Sequence, residues 1–81
     1  MIDKIIKEIN IIYNLEFNYK VKIPFVYTIY FKIEKTEISF IYMFDKLSNY
    51  ENNLNELKRK VNSEIINYYL RKEKNEKNKD N

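Results

Sequence analysis

FNYKVKIPFVYTIYFKIEKTEISFIYMF, residues 17–44, alternates large apolar and polar side chains through three successive runs. In the first, Phe17, Tyr19, Val21 and Ile23 alternate with Asn18, Lys20 and Lys22. Tyr27, Ile29, Phe31 and Ile33 form the second run, and Ile38, Phe40, Tyr42 and Phe44 the third. Side chains along a strand point alternately to its two faces, so a period of two reads as half-buried β-structure. Pro24 separates the first two runs, and Glu34-Lys35-Thr36-Glu37 separates the second from the third.

The pairing register follows from the apolar faces. A two-residue turn at Lys35-Thr36 sets Ile33 opposite Ile38, Phe31 opposite Phe40, Ile29 opposite Tyr42 and Tyr27 opposite Phe44. A three-residue turn at Ile23-Pro24-Phe25 sets Val21 opposite Tyr27, Tyr19 opposite Ile29 and Phe17 opposite Phe31. Every large apolar residue then shares one side, and a slip of one residue would reverse the faces. The chain contains no glycine, which makes a primed two-residue turn costly and leaves a four- or five-residue loop as the alternative.

Helical spacing flanks this segment on both sides. Ile2, Ile5, Ile6, Ile9, Ile12 and Tyr13 recur at i, i+3, i+4, i+7 and predict a helix over residues 2–14. Ser48-Asn49-Tyr50-Glu51 has the S-x-x-E form of a capping box. Tyr50, Leu54, Leu57, Val61, Ile65, Tyr68 and Tyr69 then predict a second helix over residues 49–72. Beyond it every residue is charged or asparagine, so residues 73–81 can continue the helix at first and are expected to fray into a disordered tail. The expected fold is α+β: one domain over residues 1–72, a three-stranded antiparallel meander in the order α-β-β-β-α, with both helices on one sheet face.

Composition narrows the chemistry. The 81 residues include no glycine, histidine, cysteine or tryptophan, and no alanine or glutamine either. Without histidine no side chain has an unperturbed pKa near neutrality, and without cysteine there is no soft metal ligand or thiolate nucleophile. Glycine-rich phosphate loops are excluded as well. Eight tyrosines, five phenylalanines and thirteen isoleucines instead supply a core, which a chain this short must fill well. Abundant isoleucine, lysine, asparagine and tyrosine reflect AT-rich codons, and so a low-GC genome. Part of the lysine and asparagine content is therefore mutational bias, and a short chain of this kind fits a phage, plasmid or other mobile element, as it also fits an ordinary low-GC cellular gene.

Net charge is +3, from fifteen basic and twelve acidic residues. Five of the bases and three of the acids lie in residues 71–81, so the folded part is nearly neutral, a balance that allows a duplex-binding face without marking one. The N-terminal residues mix acids with lysines and do not read as a secretory signal. The most apolar stretch, residues 25–44, places Lys32, Glu34, Lys35 and Glu37 at its centre, where a bilayer would penalise them most. The expectation is a cytoplasmic protein, in the host cytoplasm if phage-encoded, with no membrane partner.

The element order resembles that of the double-stranded RNA-binding domain, in topology alone. That family carries a lysine cluster at the start of its second helix. The matching stretch here, residues 48–53, holds Glu51 and no base before Lys58.

The sheet face turned away from the helices is the candidate site. Lys20, Lys22, Val26, Thr28, Tyr30, Lys32, Ile41 and Met43 fall on it, with Tyr30 expected beside Ile41 and Thr28 beside Met43. An aromatic and aliphatic patch fringed by lysines suits a protein-binding surface, and it also suits stacking of nucleobases. Lys58, Arg59 and Lys60 fan over the second helix and offer a phosphate or acidic-partner contact, with Glu56 placed to pair with Lys60. Asp45 with Glu56-Leu57-Lys58 has the residue types of a metal nuclease, but the E-x-K falls on a helix and not on a strand beside the acid. No serine has a histidine to activate it. The reading is a non-enzymatic binding module without metal or cofactor that acts by occupying a partner surface. One concrete form is a mobile-element inhibitor of a host defence nuclease, anti-CRISPR-like in its logic. The alternatives are a small binder of single-stranded or structured nucleic acid and a homodimer formed through the open face.

Overall fold

The computed structural model describes residues 1–79 and has the order α1 (Ile2–Tyr13), β1 (Asn18–Ile23), β2 (Val26–Ile33), β3 (Thr36–Met43) and α2 (Tyr50–Lys79). The strands form one antiparallel sheet in the order β1-β2-β3. It is the expected α+β arrangement.

One apolar cluster binds the two layers. Ile5, Ile6 and Ile9 of α1, Leu57 and Val61 of α2, Phe17, Ile29, Phe31 and Ile33, and Tyr42 of β3 are buried together. All the sheet residues come from the same alternating set, so both helices cover one face. Phe17 and Phe31 pack with ring centroids 4.4 Å apart at the centre. Aromatic contact of this kind stabilises by about 0.5–1.5 kcal/mol beyond the area it buries.

α1 ends where Asn14 takes a left-handed backbone, φ 52°, a conformation asparagine tolerates better than most residues. Its side chains anchor the first strand, since Asn10 Oδ1 accepts the Phe17 N–H at 2.7 Å and Tyr19 donates to Asp3. Ile12, expected in the core, is exposed, while Tyr13, the next residue of the same turn, packs on the core and against Phe17.

The β1–β2 register is the expected one, with Val21 opposite Tyr27 and Tyr19 opposite Ile29. The turn differs. Lys22 is an extra residue and Ile23 pairs with Val26, leaving Pro24-Phe25 as the loop, with Phe25 at φ 66°. The β2–β3 ladder is shifted two residues from the expected one: Ile33 faces Thr36, Phe31 faces Ile38, Ile29 faces Phe40 and Tyr27 faces Tyr42. Its loop is Glu34-Lys35, with Glu34 at φ 59°. Non-glycine residues adopt that backbone at some cost, and here the Glu34 carboxylate is held by Tyr68 and Lys72 of α2, which offsets it. An even shift leaves every side chain on its expected face.

The second helix starts one residue later than a box headed by Ser48 implies. Asn49 is the cap, its Oδ1 accepting the Asn52 N–H at 2.7 Å, and the Asn52 side chain reaches back to Ser48 Oγ at 3.1 Å. The helix also continues past Lys72 through Lys79. Apolar spacing stops at Leu70, but arginine, lysine and glutamate have good helix propensity and extend it without a core to cover. The tail expected at residues 73–81 is therefore helical as far as Lys79, and its last two residues lie outside the described range.

A polar hub ties β3 to α2. Asn53, only 3% exposed, accepts the Asp45 N–H at 2.8 Å and donates to the carbonyls of Asp45 (2.9 Å) and Asn49 (3.0 Å). The fully buried Tyr42 hydroxyl donates to the Asn53 carbonyl at 3.0 Å. Burial, with smaller contributions from Glu56 and Tyr27, pushes the Tyr42 phenol up to about 12. Above the ordinary value of 10.0 the unfolded chain loses this proton first, so the native state is destabilised as pH rises from about 10 to about 12. Chemical denaturation across that window is expected to show a steeper loss of stability in wild type than in Tyr42→Phe. Equal slopes would contradict the assignment.

Candidate functional site

The sheet face opposite the helices is bare along its whole length. Met43 is 66% exposed and Ile41 40%, and no described helix crosses them. The two-residue register shift rearranges the expected neighbours. Tyr30 lies opposite Ser39, Thr28 opposite Ile41, Val26 opposite Met43 and Lys32 opposite Glu37. Tyr30 is therefore diagonal to Ile41 rather than beside it, a distance that an aromatic ring still spans.

The Lys22 bulge adds a residue that alternation alone assigns to the core. Directly paired residues share a face, so Ile23, paired with Val26, lies on the bare side. It is 58% exposed. Ile23, Val26 and Met43 consequently form one apolar rung across all three strands, with Ile41 on the next rung beside Thr28 and Lys20. The only sequence signal for this was Pro24 directly after Ile23, which marks the strand end without fixing the loop length. Val21 stays on the helix side yet is exposed, because the helices do not reach the outer half of β1.

Lysines edge the patch. Lys20 places its ammonium 5.7 Å from the centroid of the Tyr30 ring, within cation–π range. Lys22 is the exposed bulge residue, and Lys32, exposed opposite Glu37, is in no salt bridge among the described residues. At the Ile23 end, Phe25 stacks on Phe44 at 6.4 Å, and Lys46 sits 5.3 Å over the Phe25 ring.

Lys58, Arg59 and Lys60 do not form one strip. Arg59, and not Lys60, pairs with Glu56. Lys60 turns the other way and donates to the Ile41 carbonyl at 3.0 Å. Their neighbour on the helix, Asn62, receives the Tyr13 hydroxyl, which also reaches the Lys58 carbonyl at 3.1 Å.

Among the described residues no group of three His, Cys, Asp or Glu side chains could hold a metal ion, and no helix is long and apolar enough to cross a membrane. Comparison of the chain with family models, curated proteins and solved structures found no match in any of the three. At the start of α2, where the double-stranded RNA-binding domain has its lysines, Asn49, Asn52 and Asn53 serve as a cap and a loop clamp.

Proposed function

We propose that this protein is a non-catalytic binding module whose bare sheet face docks on an apolar, acid-edged surface of a partner protein. The observation that carries this reading is the rung Ile23–Val26–Met43, three apolar side chains aligned across the sheet, with Ile41 beside them and Lys20 and Lys32 on the same face. Apolar centres with a polar rim supply most interface energy through a few anchors, while rim charges set orientation and partner choice. The lysine fringe calls for carboxylates on the other side. Inhibition of a host defence nuclease by a mobile-element protein is one form such a function takes, since an inhibitor of this type needs a surface and no chemistry.

Nucleic-acid binding is the second reading, favoured by Tyr30 among lysines. It ranks below the first because Lys20 already occupies one side of the Tyr30 ring and Glu37 stands across from Lys32.

Affinity purification from the native host tests the proposal. Wild type is expected to retain a stoichiometric protein partner, Met43→Asp to lose it, and Tyr30→Ala to weaken it at least tenfold, about 1.4 kcal/mol. Ile66→Asp, on the exposed side of α2, is expected to keep the partner. Retention by folded Met43→Asp would overturn the docking face. Saturable nucleic-acid binding at about 0.15 M salt that falls steeply with added salt would replace the first reading by the second. A homodimer in light scattering, dissociated by Met43→Asp, would assign the face to a second copy.

A further inference from the structure

We propose that the groove between the free edge of β3 and α2 receives an extended basic peptide as a fourth strand of the sheet. This site runs along the free edge of β3, bordering the bare face at Glu37 and Ser39, and does not rest on the docking partner proposed for that face.

The backbone establishes which groups the edge offers. The Phe44 N–H donates to the Phe25 carbonyl at 2.8 Å, so even-numbered residues at this end of β3 turn their backbone groups toward β2. The Ile41 carbonyl points the other way and takes the Lys60 ammonium at 3.0 Å. N–H and C=O of one strand residue lie on the same side and alternate along the strand. Glu37 and Ser39 therefore present their backbone donors and acceptors to the open side.

Helices often seal such an edge, but α2 stands off from it. Between them lies a cavity of about 760 Å³, walled by Glu37, Ile38 and Ser39 on one side and by Glu64, Tyr68 and Arg71 on the other. That volume falls among ligand-binding clefts. A smaller hollow of about 210 Å³ continues it past Phe40 and Ile41 to Lys60.

Both ends are propped. Lys60 reaches the strand at one end. At the other, Glu34 in the hairpin loop accepts from Lys72 at 2.8 Å and from the Tyr68 hydroxyl at 3.0 Å. Those two donors hold the Glu34 carboxyl below its ordinary range. The props keep helix and strand apart at a fixed spacing, with the unpaired amides between them. A strand beside a spaced helix is the geometry of peptide capture by strand addition, where main-chain bonds supply affinity and side-chain contacts supply selection.

Charge selects the peptide. Glu37 and Glu64 line the larger cavity, and among the described residues neither is in an ion pair or side-chain hydrogen bond. Opposing them is Arg71, since Lys72 is engaged by Glu34. Two unpaired carboxylates against one guanidinium favour lysine or arginine on the incoming strand.

The probe is a capped hexapeptide of alternating valine and lysine, titrated into the isotope-labelled full chain. Saturable amide shifts are expected at Glu37, Ser39, Glu64 and Tyr68. Methylating alternate backbone nitrogens of the peptide, or replacing its lysines by glutamate, is expected to weaken binding about tenfold or more. Glu64→Lys should weaken the lysine peptide while sparing a valine–threonine one, and Met43→Asp should leave both unchanged. Absence of shifts at these amides with millimolar peptide, or equal binding of the methylated peptide, would overturn the proposal. β1 is itself a basic edge strand through Lys20 and Lys22. Concentration-dependent association abolished by Lys20→Glu would give the groove to β1 of a second copy and overturn the partner peptide.

Discussion

Asn53→Ala is expected to destabilise the fold by about 2–4 kcal/mol, measured by urea or thermal unfolding. The side chain is buried and supplies both halves of an amide pairing with Asp45, accepting its N–H and donating to its carbonyl, and it also donates to the Asn49 carbonyl. Alanine cannot replace any of these, and the groups left behind are only partly reachable by water. Within the loop that carries β3 into α2, Asp45 itself serves the Leu47 N–H and the Ser48 N–H, which are local bonds that do not reach the body of the helix. Tyr42→Phe removes one donor from the same hub while keeping the ring, and its expected cost is smaller, about 1 kcal/mol. If Asn53→Ala cost no more than Tyr42→Phe, the hub would not be what fixes α2 to the sheet.

Phe31→Ala is expected to cost about 3–5 kcal/mol, whereas Met43→Ala, on the adjacent strand but the other face, should change stability by no more than about 0.5 kcal/mol. Phe31 is buried against Phe17 and directly opposite Ile38, so truncation removes apolar burial and leaves a cavity that the tightly paired strands cannot collapse. Met43 already sits mostly in water. A domain of this size has a total stability of about 4–12 kcal/mol, so Phe31→Ala should leave a large unfolded fraction on mild warming. Comparable costs at the two positions would mean that the sheet is covered on both sides.

The two faces were legible because alternation settles them directly: Ile29, Phe31 and Tyr42 are buried as the pattern requires, and Ile41 and Met43 are not. Parity is all that alternation fixes. A step of two residues along β3 preserves each face, and with no glycine to mark the turn nothing distinguished a loop at Glu34-Lys35 from one at Lys35-Thr36. The Lys22 bulge lay beyond the pattern for a related reason, since inserting one residue next to a proline changes the face of Ile23 alone. How far a helix layer extends is set by tertiary packing, so the exposure of Ile12 and Val21 and the gap beside β3 left no trace in periodicity. Asn53 did leave one. It sits four residues before Leu57 and eight before Val61, a polar residue in the middle of an apolar stripe, which is the mark of a buried group with partners.

Methyl NMR of the free protein with a soluble paramagnetic agent tests the two-sided sheet most directly. The structure predicts strong relaxation of the Met43 and Ile41 methyls, weak relaxation of Ile29, Ile5 and Ile9, and cross-strand contacts joining Val26 to Met43 and Thr28 to Ile41. Protection of Met43 and Ile41, or contacts from either helix to the Met43 methyl, would contradict it and remove the docking face.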